Sequence, residues 1–330
     1  MTTYKDIHGT QVEVRSDDPS NPVNGQIWYN TTDLKLRGHT LNPTAAWATG
    51  GNLNTARNNL GGTGTQTAGL AVGGESPSGN HADTELYNGA SWTEVNNLNT
   101  AKALLGAAGT QTASLVFGGQ GPGSFTATTE NWNGTNWTEV ADLNTARRVM
   151  GDAGTNTSAL SIAGYHNGPP VARAEVESWN GSSWTEIADL NTARYALAGA
   201  GTNNTSAMAI GGISPVANPT DQKAQTEVWN GTNWTEVNDL NVATQQLAAT
   251  GTTSATLAFG GETPAAAAVA KTEIWNGTNW TEVNDLATAR NVLAGSGTTT
   301  SALAFGGGAV TAATEEWNEP FGATQEFDLS

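Results

Sequence analysis

The 330-residue chain has no cysteine, only four histidines and only 13 lysines and arginines. Each shortage excludes a chemistry. Without cysteine there is no disulfide, no thiolate metal site and no thiol redox centre. His8, His39, His81 and His166 never stand two or four residues apart, so a zinc or copper centre has no paired imidazoles to draw on, and no metal or cofactor is expected. Against the few cations stand 30 aspartates and glutamates, giving a net charge of −17. That field repels polyphosphate and anionic headgroups, which removes the electrostatic basis for nucleic-acid or membrane-surface binding. The opening stretch lacks an apolar signal core, and no run of about 18 apolar residues occurs anywhere. The expectation is a chain that neither inserts into a membrane nor follows a conventional secretion signal.

What is abundant is an unusual pair, 40 glycines with 12 tryptophans in a chain only 13 % charged. Flexible linkers are rich in glycine but poor in tryptophan, so the pairing points to short strands, tight turns and repeats. The phrase Trp-Asn-Gly-x-x-Trp recurs at Trp132–Trp137, Trp179–Trp184, Trp229–Trp234 and Trp275–Trp280, with Tyr87 to Trp92 as a variant. Small-residue doublets keep the same beat at Gly73-Gly74, Gly118-Gly119, Ala163-Gly164, Gly211-Gly212, Gly260-Gly261 and Gly306-Gly307. A basic residue marks each unit at Arg57, Lys102, Arg147, Arg194 and Arg290, with Thr244 in its place once, at spacings of 45, 45, 47, 50 and 46 residues.

Within a unit the segments are short, apolar or alternating, and bounded by Gly, Asn and Thr, as strands are. The third unit predicts four strands: Arg147 to Gly154, Ser158 to Gly164, Glu175 to Trp179, and Trp184 to Ile187. The Asn-Gly between the last two favours a tight hairpin. Four antiparallel strands every ~46 residues fit a propeller blade.

The Gly-Gly doublet, the Glu two residues before an aromatic, the second Trp and the basic residue opening the next unit together resemble the kelch repeat of β-propellers, over residues 44–318. The resemblance implies that the doublets let blades pack closely and that paired aromatics such as Trp229 and Trp234 are structural. Counting predicts how the ring closes. Each second Trp lies ten residues before a marker, and so does Trp47 before Arg57, although no earlier strands precede it. The last unit has three strands and ends at Trp317-Asn318. The expected fold is therefore all-β, a six-bladed kelch-type propeller closed by an N-terminal outer strand, with residues 47–50 paired within 313–318.

Two domains are expected, an N-terminal arm at 1–40 and the propeller with a short C-terminal tail at 41–330. In the arm, Ile27 to Thr32 and Leu34 to Arg37 read as a β-hairpin with its tip near Thr32-Asp33. This stretch resembles a small module of tail-fibre and other virion proteins of tailed phages, and the near-identical Trp-Asn-Gly-Thr-Asn-Trp-Thr-Glu-Val units resemble those of marine phage structural proteins. The resemblance implies a virion protein, tail-fibre-like, located on the particle. A lone hairpin is too small to be stable. Trp28 and Tyr29, adjacent and so on opposite faces, are the expected anchor to other virion proteins or to further copies in a homo-oligomer.

No catalytic residue is expected. A copper radical oxidase needs a Tyr–Cys crosslink, and the Asp-box of sialidase propellers is absent. The acids Glu94, Glu139, Glu186, Glu236 and Glu282 repeat at one slot, as scaffold residues do. The acids Glu85, Glu130, Glu177, Glu227, Glu273 and Glu315 are expected to pair with the basic series or with backbone N–H groups, with an anionic lining of the central channel as the alternative. Asp142, Asp189, Asp239 and Asp285 are read as turn caps, with calcium binding as the alternative. Function is sought where the repeats disagree, which is in the loops between second and third strands. There His81, Phe125, Tyr165, His166, Arg173, Asp221 and Lys223 are the residues suited to stack on a sugar or to hydrogen-bond it. The expected function is adhesion of this loop face to a host-surface glycan or protein. The alternative is a purely structural decoration or tail-associated protein.

Overall fold

The computed structural model describes residues 12–19, 26–41, 45–168, 172–214, 221–265, 267–319 and 322–327. It is all-β, with no helix among the described residues and hence none long and apolar enough to cross a membrane. The chain divides into two compact bodies, Met1–Ala45 with Glu319–Ser330, and Ala46–Asn318.

In the larger body each repeat forms a four-stranded antiparallel sheet, in keeping with a propeller-like fold. The third is typical: Gly151–Thr155, Ser158–Tyr165, Ala172–Trp179 and Trp184–Ile187, each paired with the next. Trp179 stands directly opposite Trp184, their rings 5.4 Å apart. The last sheet draws on both ends of the body. Ala294–Gly297, Ser301–Phe305 and Thr314–Asn318 are completed by Ala46–Thr49, with Trp47 opposite Trp317.

Indoles tie each sheet to its neighbour. The Nε1–H groups of Trp47, Trp92, Trp137, Trp184 and Trp280 donate to the hydroxyls of Thr272, Thr314, Thr84, Thr129 and Thr226, at 3.0 to 3.1 Å. In the third sheet the threonine slot holds Val176, which has no acceptor, and Trp234 turns to the Ala188 carbonyl instead. All these rings are buried, so their N–H groups need such partners.

The repeated acids behave as structural groups. Buried pairs join Arg57 to Glu85, Lys102 to Glu130, Arg147 to Glu177, Arg194 to Glu227 and Arg290 to Glu315, at 2.5 to 3.2 Å. Asparagines such as Asn191 add N–H and Nδ2–H bonds to the same carboxylate. Where Thr244 replaces the cation, Glu273 keeps only the two bonds from Asn241. Asp142 and Asp285 do cap, but not in the local turn the sequence predicts: they accept the N–H of Thr129 and Thr272, thirteen residues away across the hairpin.

The doublets favour glycine, with Ala163 as the one exception, at φ of 58°. Gly118 and Gly119 have φ of 61° and 105°. A Cβ on the first would meet Met150 Cε at 2.6 Å and the Arg147 carbonyl at 2.7 Å, so a side chain there would push the neighbouring sheet away.

The smaller body holds a sheet of Glu13–Arg15, Ile27–Asn30, Lys35–Leu41 and Gly322–Phe327. The predicted hairpin is present, with its turn at 31–34, but it is not alone. One flank pairs in parallel with 13–15, and the other with 322–327, so the C-terminal strand lies in the body of the N-terminal segment. Asp18 is the polar hub, accepting from Trp28 Nε1, Asn30 Nδ2 and Arg37, and these donors hold its carboxyl well below the usual range.

Candidate functional site

The first strands, Gly61–Thr65, Gly106–Gly109, Gly151–Thr155, Ala198–Asn203, Ala248–Thr252 and Ala294–Gly297, lie beside one another in succession, with the last beside the first. They enclose a cavity of about 140 Å³ walled by small residues. Asp152 is its one carboxylate among the described residues. Its Oδ2 accepts the Ala107 N–H at 2.9 Å, and desolvation raises the acid to about 7.

At one end of this cavity the residue two places before each first strand is left-handed without being glycine: Asn59, Leu104, Val149, Ala196, Gln246 and Val292, at φ of 49° to 57°. Such a conformation is costly for β-branched valine. It is held by a circuit of backbone bonds. Each N–H donates to the carbonyl of the preceding member, Leu104 to Asn59, Val149 to Leu104, Ala196 to Val149, Gln246 to Ala196 and Val292 to Gln246, and Asn59 donates to Val292. The bonds span 2.7 to 3.0 Å. The residue before each member forms the rim, bridged to the residue after a doublet, as Arg148 is to Tyr165 and Tyr195 to Ile213.

On this rim the structure gathers aromatic rings around one cation. The Arg148 guanidinium carbon lies 4.5 Å from the Phe125 ring centre and 5.1 Å from that of Tyr165. Phe125 and Tyr165 meet edge to face at 5.7 Å, and Tyr165 and Tyr195 at 5.0 Å. Arg148 Nη1 donates to Gln120 Oε1 at 3.2 Å. All five residues are half-buried. In the larger body Arg148 is the one described Lys or Arg that lacks a carboxylate partner. The rings offer faces for apolar sugar or side-chain surfaces, and the guanidinium and Gln120 offer polar contacts beside them.

Of the residues expected from sequence, Phe125 and Tyr165 belong to this cluster. The others do not join it. Arg173 is tied to Glu175 at 3.3 Å and Lys223 to Asp221 at 2.8 Å, and His81 to Asp83 at 2.8 Å. His81, Arg173 and Lys223 share one repeat slot, where the carbonyl accepts the N–H of Lys102, Arg194 and Thr244 respectively. His166 is buried, not exposed for binding, and burial beside Arg147 and Arg173 lowers it to about 4. Parts of the variable loops, 169–171, 215–220 and 266, lie outside the described residues. Sequence reasoning passed over Arg148, Tyr195 and Gln120, although Arg148 breaks its slot, which elsewhere holds Asn58, Ala103, Tyr195, Gln245 and Asn291.

At the expected anchor, Trp28 is fully buried and Tyr29 half-buried, so the two do face opposite ways. Tyr29 lies between Val14 and Leu36 across its sheet. Val14 is 71 % exposed, and Val12 and Leu34 are also exposed, so the exposed large apolar side chains among the described residues all fall in this smaller body.

No protein-family model matches the chain, and comparison with curated proteins finds no match.

Proposed function

We propose that the chain is a tail-fibre-like structural protein of a tailed-phage virion, in which a closed six-bladed kelch-type propeller presents its rim to a host-surface glycan or protein. The observation that carries the binding role is the Phe125–Arg148–Tyr165–Tyr195 cluster, where side chains that break the repeat converge on one rim. Closure is supported by the circuit of backbone bonds from Asn59 back to Val292, and by the pairing of 46–49 with 314–318. The apolar face of Val14 and Tyr29 suits the smaller body to docking on other virion proteins or on further copies of this chain. That same face favours the second reading, a purely structural virion component.

The test is a glycan array and a host-cell adsorption assay with the full chain and with Arg148→Ala and Tyr165→Ala. Each variant is expected to weaken binding about tenfold with unchanged melting, the size of one aromatic or cation–π contact. Binding that ignores both substitutions would remove the rim site. Absence of any ligand, together with retained incorporation into particles, would favour the purely structural reading.

A further inference from the structure

The first of the variable loops carries a feature that adhesion does not require. Residues 75–83 form a small hairpin, Glu75–Ser76 paired with Gly79–Asn80, followed by His81 and Asp83. The His81 Nδ1 lies 2.8 Å from Asp83 Oδ2, and its Nε2 lies 2.8 Å from Ser76 Oγ. With Asp83 accepting from Nδ1–H, the tautomer is fixed and Nε2 is left as the acceptor for the serine proton. We propose that Ser76, His81 and Asp83 form a nucleophilic centre that hydrolyses acyl esters.

The arrangement is held at several points. The His81 N–H donates to the Gly74 carbonyl at 2.8 Å, Glu75 is bridged to Asn58, and Asp83 Oδ1 accepts from Asn97 Nδ2 at 3.4 Å. The His81 and Asp83 side chains are 16 % and 23 % exposed, which limits competition by water for their bond, and Ser76 is half-buried next to the exposed tip at Pro77 and Ser78. The Ser78 N–H donates to Ser76 Oγ at 3.3 Å and the two serine hydroxyls lie 2.7 Å apart, contacts that fix Oγ beside the imidazole. A Cβ built on Gly79 would meet nothing within 4 Å, so the space beside the hairpin tip is open to an acyl group. The loop also reaches the aromatic rim: Asn80 Nδ2 donates to the Gln120 carbonyl, and Gln120 receives Arg148.

In the reaction Ser76 Oγ attacks the acyl carbonyl carbon and its proton passes to His81 Nε2. The bond from that carbon to the alcohol oxygen breaks, and His81 returns the proton to the departing alcohol. Water then attacks the acyl-Ser76 ester with His81 again taking and returning a proton, which frees the carboxylic acid and restores the serine. No oxidant, reductant or metal is needed.

The experiment treats the full chain with a fluorophosphonate probe, maps the adduct by peptide mass spectrometry, and follows hydrolysis of p-nitrophenyl acetate. The expected result is one adduct, on Ser76, and turnover that falls about 10²-fold in Ser76→Ala and in Asp83→Asn with unchanged melting. Ser76→Ala removes only a hydroxyl from a short two-residue hairpin strand at the surface, so folding is retained. No adduct on Ser76, or hydrolysis by Ser76→Ala equal to that of the unaltered chain, overturns the proposal.

Discussion

The third sheet carries Arg148 where its neighbours carry Ala103 and Tyr195, Asp152 where they carry Ala107 and Gly199, and Val176 where they carry Thr129 and Thr226. Its scaffold is otherwise shared, with Arg147 on Glu177 as Arg194 is on Glu227, and the same stacked tryptophans. The difference separates two kinds of position. Slots that face the adjoining sheet are mostly filled alike because each must satisfy the same buried partners, and at the exception, Val176, the partner Trp234 finds the Ala188 carbonyl instead. Slots that face the cavity or the rim have no such partner to satisfy, and there one sheet has acquired a cation and an acid while its neighbours keep mostly small or neutral residues. An asymmetric site on a repeating frame needs only such a departure.

The largest effect tests the shared frame. Arg194→Ala and Arg147→Ala each leave a buried carboxylate without its cation and should each cost about 3–5 kcal/mol in denaturant unfolding. A much smaller loss at Arg147 would mean that the third sheet does not share the frame. A second measurement addresses the cavity. Asp152 keeps its proton in the folded state up to about pH 7, against an ordinary value of 3.8. Its contribution is therefore full below that ordinary value and is lost as pH rises through 7. Asp152→Asn should match the unaltered chain in melting temperature near pH 4 and exceed it progressively towards pH 8, and parallel profiles would show that the acid is well solvated. The smallest effect concerns Val176. Val176→Thr restores the hydroxyl that the other sheets offer, so the Trp234 indole should leave the Ala188 carbonyl, with a change in stability within about 1 kcal/mol. Hydrogen exchange of the indole N–H would register the new bond even where melting does not.

Much of this frame is legible in the sequence because its signals are local or periodic. Asn133 accepts the N–H groups of Thr135 and Asn136 and precedes Gly134 at φ 90°, which is what Trp-Asn-Gly-x-x-Trp specifies. The pairing of the marker cations with the acids before each aromatic is readable from their matched periods. The rim cluster is not, because Phe125, Arg148, Tyr165 and Tyr195 come from different segments and meet only once the sheets are assembled. Asp152 stands out only when first strands are aligned slot by slot, and its raised pKa depends on desolvation that no local pattern records. The joining of 322–327 to the N-terminal sheet has no turn or period to announce it.

The sheet completed by Ala46–Thr49 has a consequence for synthesis. Residues 46–49 leave the ribosome first, but their partner at 314–318 follows only after the intervening sheets have been made. At about 5–20 residues per second, this strand waits for tens of seconds without its partner. During that interval it is an open edge, and nascent chains on one polysome could exchange it with one another. Yield on expression should therefore depend on translation speed and on chaperones that cover such an edge, and slower synthesis should favour intertwined products over single chains.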